Sequence, residues 1–146
     1  MRLWLLLLIV VWMGCKPYPK DPENSLQEIE NGVLHVGISH NPPYTVVNDT
    51  GVSGIEVALV QKYAAQHHAH IKWVNGTETA LMRKLESFEL DIAIGGFVKE
   101  SPTVNSLGIT QSFLSGPGGK HVIVVAPGEN ALLSDLDGFL VSNPLK

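Results

Sequence analysis

Few side chains in this 146-residue chain combine the type and the spacing that chemistry needs. His67, His68 and His70 fall within four positions, and imidazole is a common metal ligand. No acidic residue or cysteine stands near them in sequence, so the cluster lacks the partners of a zinc site. The plainer expectation is a solvated helix end, where partly charged imidazoles suit the negative end of the dipole. Gly116-Pro117-Gly118-Gly119 lacks the Lys-Ser/Thr pair that completes a phosphate loop, and reads as a turn. Gly51-Val52-Ser53-Gly54-Ile55 approaches a nucleophile elbow but has isoleucine where that pattern requires glycine. Ser53 is better placed as a helix cap. Asp49, Glu56 and Asp91 are accounted for as turn, cap and strand-end residues, so no carboxylate pair for acid–base work is found. No catalytic residue, metal or cofactor is expected.

The elements that must position any site follow from periodicity. Val33–Ser39 alternates and is rich in β-branched residues, which predicts a strand. Asn41-Pro42-Pro43 must leave the sheet, because proline has no N–H to donate. Asn48-Asp49-Thr50-Gly51 is turn chemistry. Ser53-Gly54-Ile55-Glu56 fits a capping box, in which Ser53 and Glu56 satisfy each other's N–H groups. A helix to about His67 follows, with Ile55, Leu59 and Tyr63 as its apolar ridge and Val60 and Ala64 beside it. Ile71–Val74 reads as a strand. Asn75-Gly76-Thr77-Glu78 opens a helix with Leu81, Leu85 and Phe88 on one face. Asp91–Gly95 is apolar in the manner of a buried parallel strand.

This strand–helix alternation predicts an α/β fold with a mostly parallel βαβαβ sheet. Ligands of such sheets sit beyond the carboxyl ends of the strands, here Ser39-His40, Asn75-Gly76 and Gly95-Gly96-Phe97. His40 is placed on that wall by its position. Further on, Ile109–Leu114 is expected to be extended and Ser115–Gly119 to turn. Lys120–Ala126 reads as a strong strand, Leu132–Asp137 as a helical turn, and Phe139–Val141 as the start of another strand.

The formal net charge is −4 with dispersed charges, so no basic stripe for nucleic acid is present. The single cysteine, Cys15, excludes an internal disulfide. Met1–Gly14 runs from a basic start through an apolar stretch to a small residue, the layout of a signal peptide. The apolar part is short of the roughly 20 residues that span a bilayer. Gly14-Cys15 resembles a bacterial lipoprotein signal, although Trp12 stands where that pattern prefers leucine. The resemblance implies lipid attachment at Cys15 and a membrane anchor, with the proline- and charge-rich residues 15–25 as tether.

From about Val33 to Val141 the chain resembles the bacterial extracellular solute-binding proteins of family 3, receptors of polar amino-acid ABC importers. "LHVGIS", "NPPYTVVNDTG", "SGIEVALVQKYA", "LDIAIGGF", "ITQSF" and "LSDLDGFLV" carry it, by their order and spacing. The resemblance implies a periplasmic-binding-protein-like lobe, closing with a second lobe on a ligand. It implies that Tyr44 packs on the ligand and that Gly95, Gly96 and Phe97 offer backbone groups to it.

Partners would be a small polar solute and ABC permease subunits, and the location extracytoplasmic. Two departures stand out. No arginine occurs in Lys99–Thr103, where relatives that bind α-amino acids hold the ligand carboxylate, and Ala58 replaces a common acid. Residues 26–114 are expected to form the first lobe. Residues 115–146 would form the crossover and the start of a second, incomplete lobe, making this a truncated form with weak or absent binding. The other expectation is an enzyme or sensor domain on the same fold, dehydratase-like or regulating a cell-wall lytic enzyme.

Overall fold

The computed structural model describes residues 21–145. The leader Met1–Gly14, Cys15 and most of the tether lie outside the described residues. The chain opens with a short helix, α1 (Ser25–Ile29), and then β1 (Val33–Ile38). A small hairpin of β2 (Val46–Asn48) and β3 (Gly51–Ser53) leads into α2 (Ile55–Gln66). β4 (His70–Asn75), α3 (Glu78–Glu86) and β5 (Ile92–Ile94) complete the alternation.

β1 pairs in parallel with β4 on one side and β5 on the other, so these three strands lie in the order β4-β1-β5 and form the expected parallel sheet. Val36, Gly37 and Ile38 face Ile92, Ala93 and Ile94 across the ladder, and all six are buried. Gly37 is required here by space. A Cβ on it would stand 2.8 Å from Leu90 and 3.0 Å from Leu81.

Beyond β5 the sheet turns antiparallel. β6 (Gly108–Ile109) and β9 (Val124–Val125) pair with each other, and β9 also pairs with β5. A separate hairpin joins β7 (Leu114–Gly116) to β8 (Gly119–His121). The single strand expected over Lys120–Ala126 is therefore two. Its apolar run is continuous, but it changes partner at Val122–Ile123, from the hairpin to the main sheet. Val122 donates to the Phe97 carbonyl, and Ile123 exchanges bonds with Thr110.

The strand expected at Phe139–Val141 is absent. Asn130–Ser142 is one helix, α4, running through Gly138. Leu132, Leu136, Phe139 and Leu140 recur at helical spacing and are buried in the cluster that holds Val36, Ile94 and Tyr63. Each such side chain contributes about 1.5–3 kcal/mol on burial, enough to carry the helix past one glycine. The Tyr63 hydroxyl donates to Asp135 Oδ2 at 2.7 Å, tying α4 to α2. Ile123, Val125, Leu132, Leu136, Phe139 and Leu140 thus share a core with Leu34, Val36 and Ile38 of β1.

Two ridge residues also fall elsewhere. Ile55 is exposed while Glu56 takes the inward position, and Phe88 lies past the end of α3 with φ +58°.

Candidate functional site

At the carboxyl end of β1 the chain forms a tight loop. Asn41 N–H donates to the Thr45 carbonyl, and the N–H groups of Tyr44 and Thr45 donate back to the Asn41 carbonyl. Thr45 Oγ1 closes the base on the Ser39 carbonyl. The loop's outer carbonyls then cap α2. Ile55 N–H donates to Pro43 and Glu56 N–H to Tyr44, at 3.4 and 3.0 Å. Those bonds satisfy donors that a side-chain cap would otherwise take. The capping box is therefore not formed. Ser53 ends β3, and Gly54 is the N-cap with no side-chain bond. Gly54 needs to be glycine: its φ is +124°, and a Cβ would stand 2.3 Å from the Tyr44 carbonyl oxygen.

Freed from capping, the Glu56 carboxylate turns inward and is 0% exposed. Its Oε2 accepts the N–H groups of Gly95 (2.9 Å) and Gly96 (3.0 Å), the first residues after β5. Its Oε1 faces Nδ1 of His121 at 3.1 Å. A carboxylate already accepting two N–H groups makes Nδ1 the donor. The opposite imidazole nitrogen, Nε2, is buried with no hydrogen-bond partner among the described residues.

The Tyr44 ring lies on His121, centroids 4.2 Å apart and tilted by 49°. The same ring borders Gly96, where a Cβ would come within 3.2 Å of Tyr44 Cδ2. Asn41 Nδ2 completes the enclosure with a 2.9 Å bond to the Gly95 carbonyl. At Gly116 in the β7–β8 hairpin, a Cβ would meet the Tyr44 hydroxyl at 2.7 Å and His121 Nε2 at 3.1 Å. Glycine there lets the hairpin close over both rings.

The family model for bacterial extracellular solute-binding proteins, family 3, matches residues 34–140. This chain belongs to that family. Domain 1 of TmArgBP, in its arginine-bound form, has the same fold at 24% identity and TM-score 0.71, covering 80% of this chain and 97% of that one. A Salmonella typhimurium periplasmic binding protein of high arginine specificity aligns at 12% identity and TM-score 0.66, over 75% and 92%. Among curated proteins, membrane-bound lytic murein transglycosylase F of Vibrio cholerae is 29% identical over 96 residues, 64% of this chain. The chain spans only 18% of that relative's length.

Within this solute-binding lobe, the residues singled out in sequence divide. Tyr44, Gly95 and Gly96 come together at the carboxyl edge of the parallel strands. The N–H groups of Gly95 and Gly96 are already held by Glu56, and the Gly95 carbonyl by Asn41. The Gly96 carbonyl and the Phe97 N–H have no hydrogen-bond partner among the described residues.

The Phe97 side chain does not join the wall. It is 5% exposed, sits in a core cluster with Leu81, Leu85 and Val104, and folds back on Gly95. His40 is exposed, and its Nδ1 accepts the Val47 N–H at 3.0 Å, bracing β2.

Sequence reading missed three contributors. Asn41 and His121 left no local signal. Glu56 did, because it lies four and seven residues before Val60 and Tyr63, on the buried stripe of α2.

Glu56 and His121 form a carboxylate–imidazole pair, a different arrangement from the paired carboxylates sought in the sequence. Its geometry has the orienting half of a catalytic triad. The other nitrogen, however, is buried beside Gly116 and Tyr44, out of reach of a substrate.

The histidine cluster is dispersed. The His67 side chain is largely buried near Asp135, His68 has φ +53°, and His70 begins β4. His67 Nε2 stands 2.8 Å from Asp135 Oδ2 but off the line its N–H requires, so the contact is close without being a hydrogen bond. Among the described residues no group of His, Cys, Asp and Glu is arranged to hold a metal ion. A groove of about 520 Å³ lies between α1, α2 and α4, at the opposite end of α2 from Glu56.

Proposed function

We propose that this chain supplies a ligand-binding lobe of an extracytoplasmic receptor that captures a small polar solute, an amino acid or a related compound, for an ABC importer. Tyr44 offers an aromatic face and the Gly95–Gly96 loop a glycine-lined backbone wall. Cys15 serves as the lipid attachment point, holding the lobe at a membrane where permease subunits meet it. The observation that carries the reading is the placement of Tyr44 against Gly96 at the carboxyl edge of a parallel sheet, the edge at which such sheets take ligands. The arginine-bound domain 1 of TmArgBP and the arginine-specific Salmonella typhimurium protein, which share the fold, support an amino-acid class of ligand.

A second reading rests on the similarity to the Vibrio cholerae transglycosylase. In it, the lobe is the sensor portion of a cell-wall lytic enzyme and recognises peptidoglycan fragments.

Amide NMR of the ¹⁵N-labelled chain discriminates the two. Titration with arginine, other polar amino acids, amines and organic acids is expected to shift Gly96 and Phe97 saturably, and Tyr44→Ala to abolish the response. Shifts with soluble peptidoglycan fragments alone would favour the second reading. No response to any of them would refute both.

A further inference from the structure

We propose that Glu56 and His121 are paired positioning residues of the solute wall. Together they fix the Gly95–Gly96 loop and the Tyr44 ring in one mutual arrangement. The proposal rests on the solute-binding reading for its ligand, but its geometry stands apart from it.

Four elements meet at the pair: α2 through Glu56, the loop after β5 through Gly95 and Gly96, β8 through His121, and the loop after β1 through Tyr44. The contacts form a closed circuit. Glu56 holds Gly95 and Gly96, His121 holds Glu56, Tyr44 lies on His121, and Tyr44 borders Gly96.

A buried carboxylate–imidazole pair is weak support for stability alone, because an apolar pair of equal volume often serves as well. What an apolar residue at position 56 cannot do is take two consecutive N–H groups. By taking them, Glu56 removes both as donors to a ligand and sets the orientation of the next peptide unit, between Gly96 and Phe97. That unit carries the carbonyl and the N–H still uncommitted. His121 has two tasks that different atoms perform. Nδ1 orients the carboxylate, and the ring face sets Tyr44.

The two tasks can be separated by substitution. His121→Asn keeps a donor near the position of Nδ1 and removes the ring. His121→Phe keeps a ring for Tyr44 and leaves Glu56 Oε1 unpaired. The experiment uses the full ¹⁵N-labelled chain near neutral pH.

In the wild type, imidazole ¹⁵N shifts are expected to show a proton on Nδ1; a bare Nδ1 would overturn the pairing. Amide exchange at Gly95 and Gly96 is expected to quicken at least about tenfold in His121→Phe and to stay within about threefold of wild type in His121→Asn. Tyr44 ring resonances are expected to move in His121→Asn and to stay near wild type in His121→Phe. Equal effects of the two variants on loop exchange and on Tyr44 would mean that His121 merely fills volume, and would refute the proposal. Global denaturation of each variant identifies one that simply fails to fold; Glu56→Gln then replaces it, with loop exchange expected to stay within about threefold of wild type.

Arginine is the ligand probe. Its affinity is expected to weaken about tenfold in His121→Phe. If wild type ignores arginine and the other solutes while the loop readouts behave as described, the solute reading fails and the positioning pair stands.

Discussion

Glu56 Oε1 lies 3.1 Å from Nδ1 of His121, 65 residues further along the chain, and both side chains are sealed from solvent. The contact joins the first turn of α2 to the last residue of β8. Removing one partner leaves the other buried and uncompensated, which costs far more than the pair itself contributes. Glu56→Ala is therefore expected to destabilise the fold by about 3–5 kcal/mol. Glu56→Gln keeps an oxygen for Gly95 and Gly96 and offers an NH₂ to Nδ1, with the imidazole switching tautomer. Its expected cost is about 1 kcal/mol. Urea denaturation of the two variants checks the ordering, and equal losses would contradict it.

Tyr63 fastens α4 to α2 through Asp135. Burial, with the hydrogen bond and the charge of Asp135 acting in the same direction, pushes the phenol well above its ordinary range. Tyr63 therefore stays a neutral donor at any ordinary pH. Tyr63→Phe keeps the ring contacts with His67 and Phe139 and deletes one charge-assisted bond. A loss of about 1–2 kcal/mol is expected, since Asp135 is partly solvated. Thermal or chemical melting measures it, and an unchanged midpoint would show the bond to be idle.

Gly96 has φ +69°, and a Cβ on it would stand 2.2 Å from Asn41 Nδ2. Asn41 can retreat only by releasing the Gly95 carbonyl. Gly51 has φ +138° with open space around it, so it isolates the backbone term. Gly96→Ala is expected to cost about 1–3 kcal/mol, more than Gly51→Ala, and to weaken any solute response. Melting curves of both variants, with the Asn41 side-chain amide signals, test the comparison.

Asp91 ends the loop before β5, and burial raises its carboxyl above the usual aspartate range. Bonds from His35 to its Oδ2 pull the other way without cancelling that effect. The folded state thus holds the Asp91 proton more tightly than the unfolded chain does. The resulting stabilisation is complete below about pH 4, the ordinary aspartate value, and is lost as pH rises through the raised one. Wild type is expected to lose stability relative to Asp91→Asn as pH increases from about 4. Urea melts of both proteins across this interval read the difference directly; a gap that widens in the other direction would contradict the assignment.

Much of this could be read along the chain. β1, α2, β4, α3 and β5 were legible because period-2 and period-3.6 patterns report which side of one element meets the core. Proline and glycine marked where the chain leaves the sheet. The parallel pairing then followed from the alternation of strands and helices, and with it the edge at which Gly95 and Gly96 lie, while Tyr44 was reached through the family resemblance. Harder to read were residues whose role is set by a partner far away. α4 was split at Gly138 because a glycine after aspartate looks like a turn until four flanking side chains find the core. The burial of the Phe97 ring was equally out of reach, because its place over Gly95 and beside Leu81 is set by packing.

Glu56 shows the boundary between the two kinds of information. The sequence by itself determined that an acidic residue stands in the first turn of a helix whose buried stripe includes Val60 and Tyr63. Only the tertiary structure decided what that carboxylate does. The carbonyls of Pro43 and Tyr44 reach the helix start first and make a side-chain cap redundant. The acid then turns inward to the two N–H groups of Gly95 and Gly96 and to His121. A buried charge must find donors, and the nearest donors in space are 39 to 65 residues away in sequence.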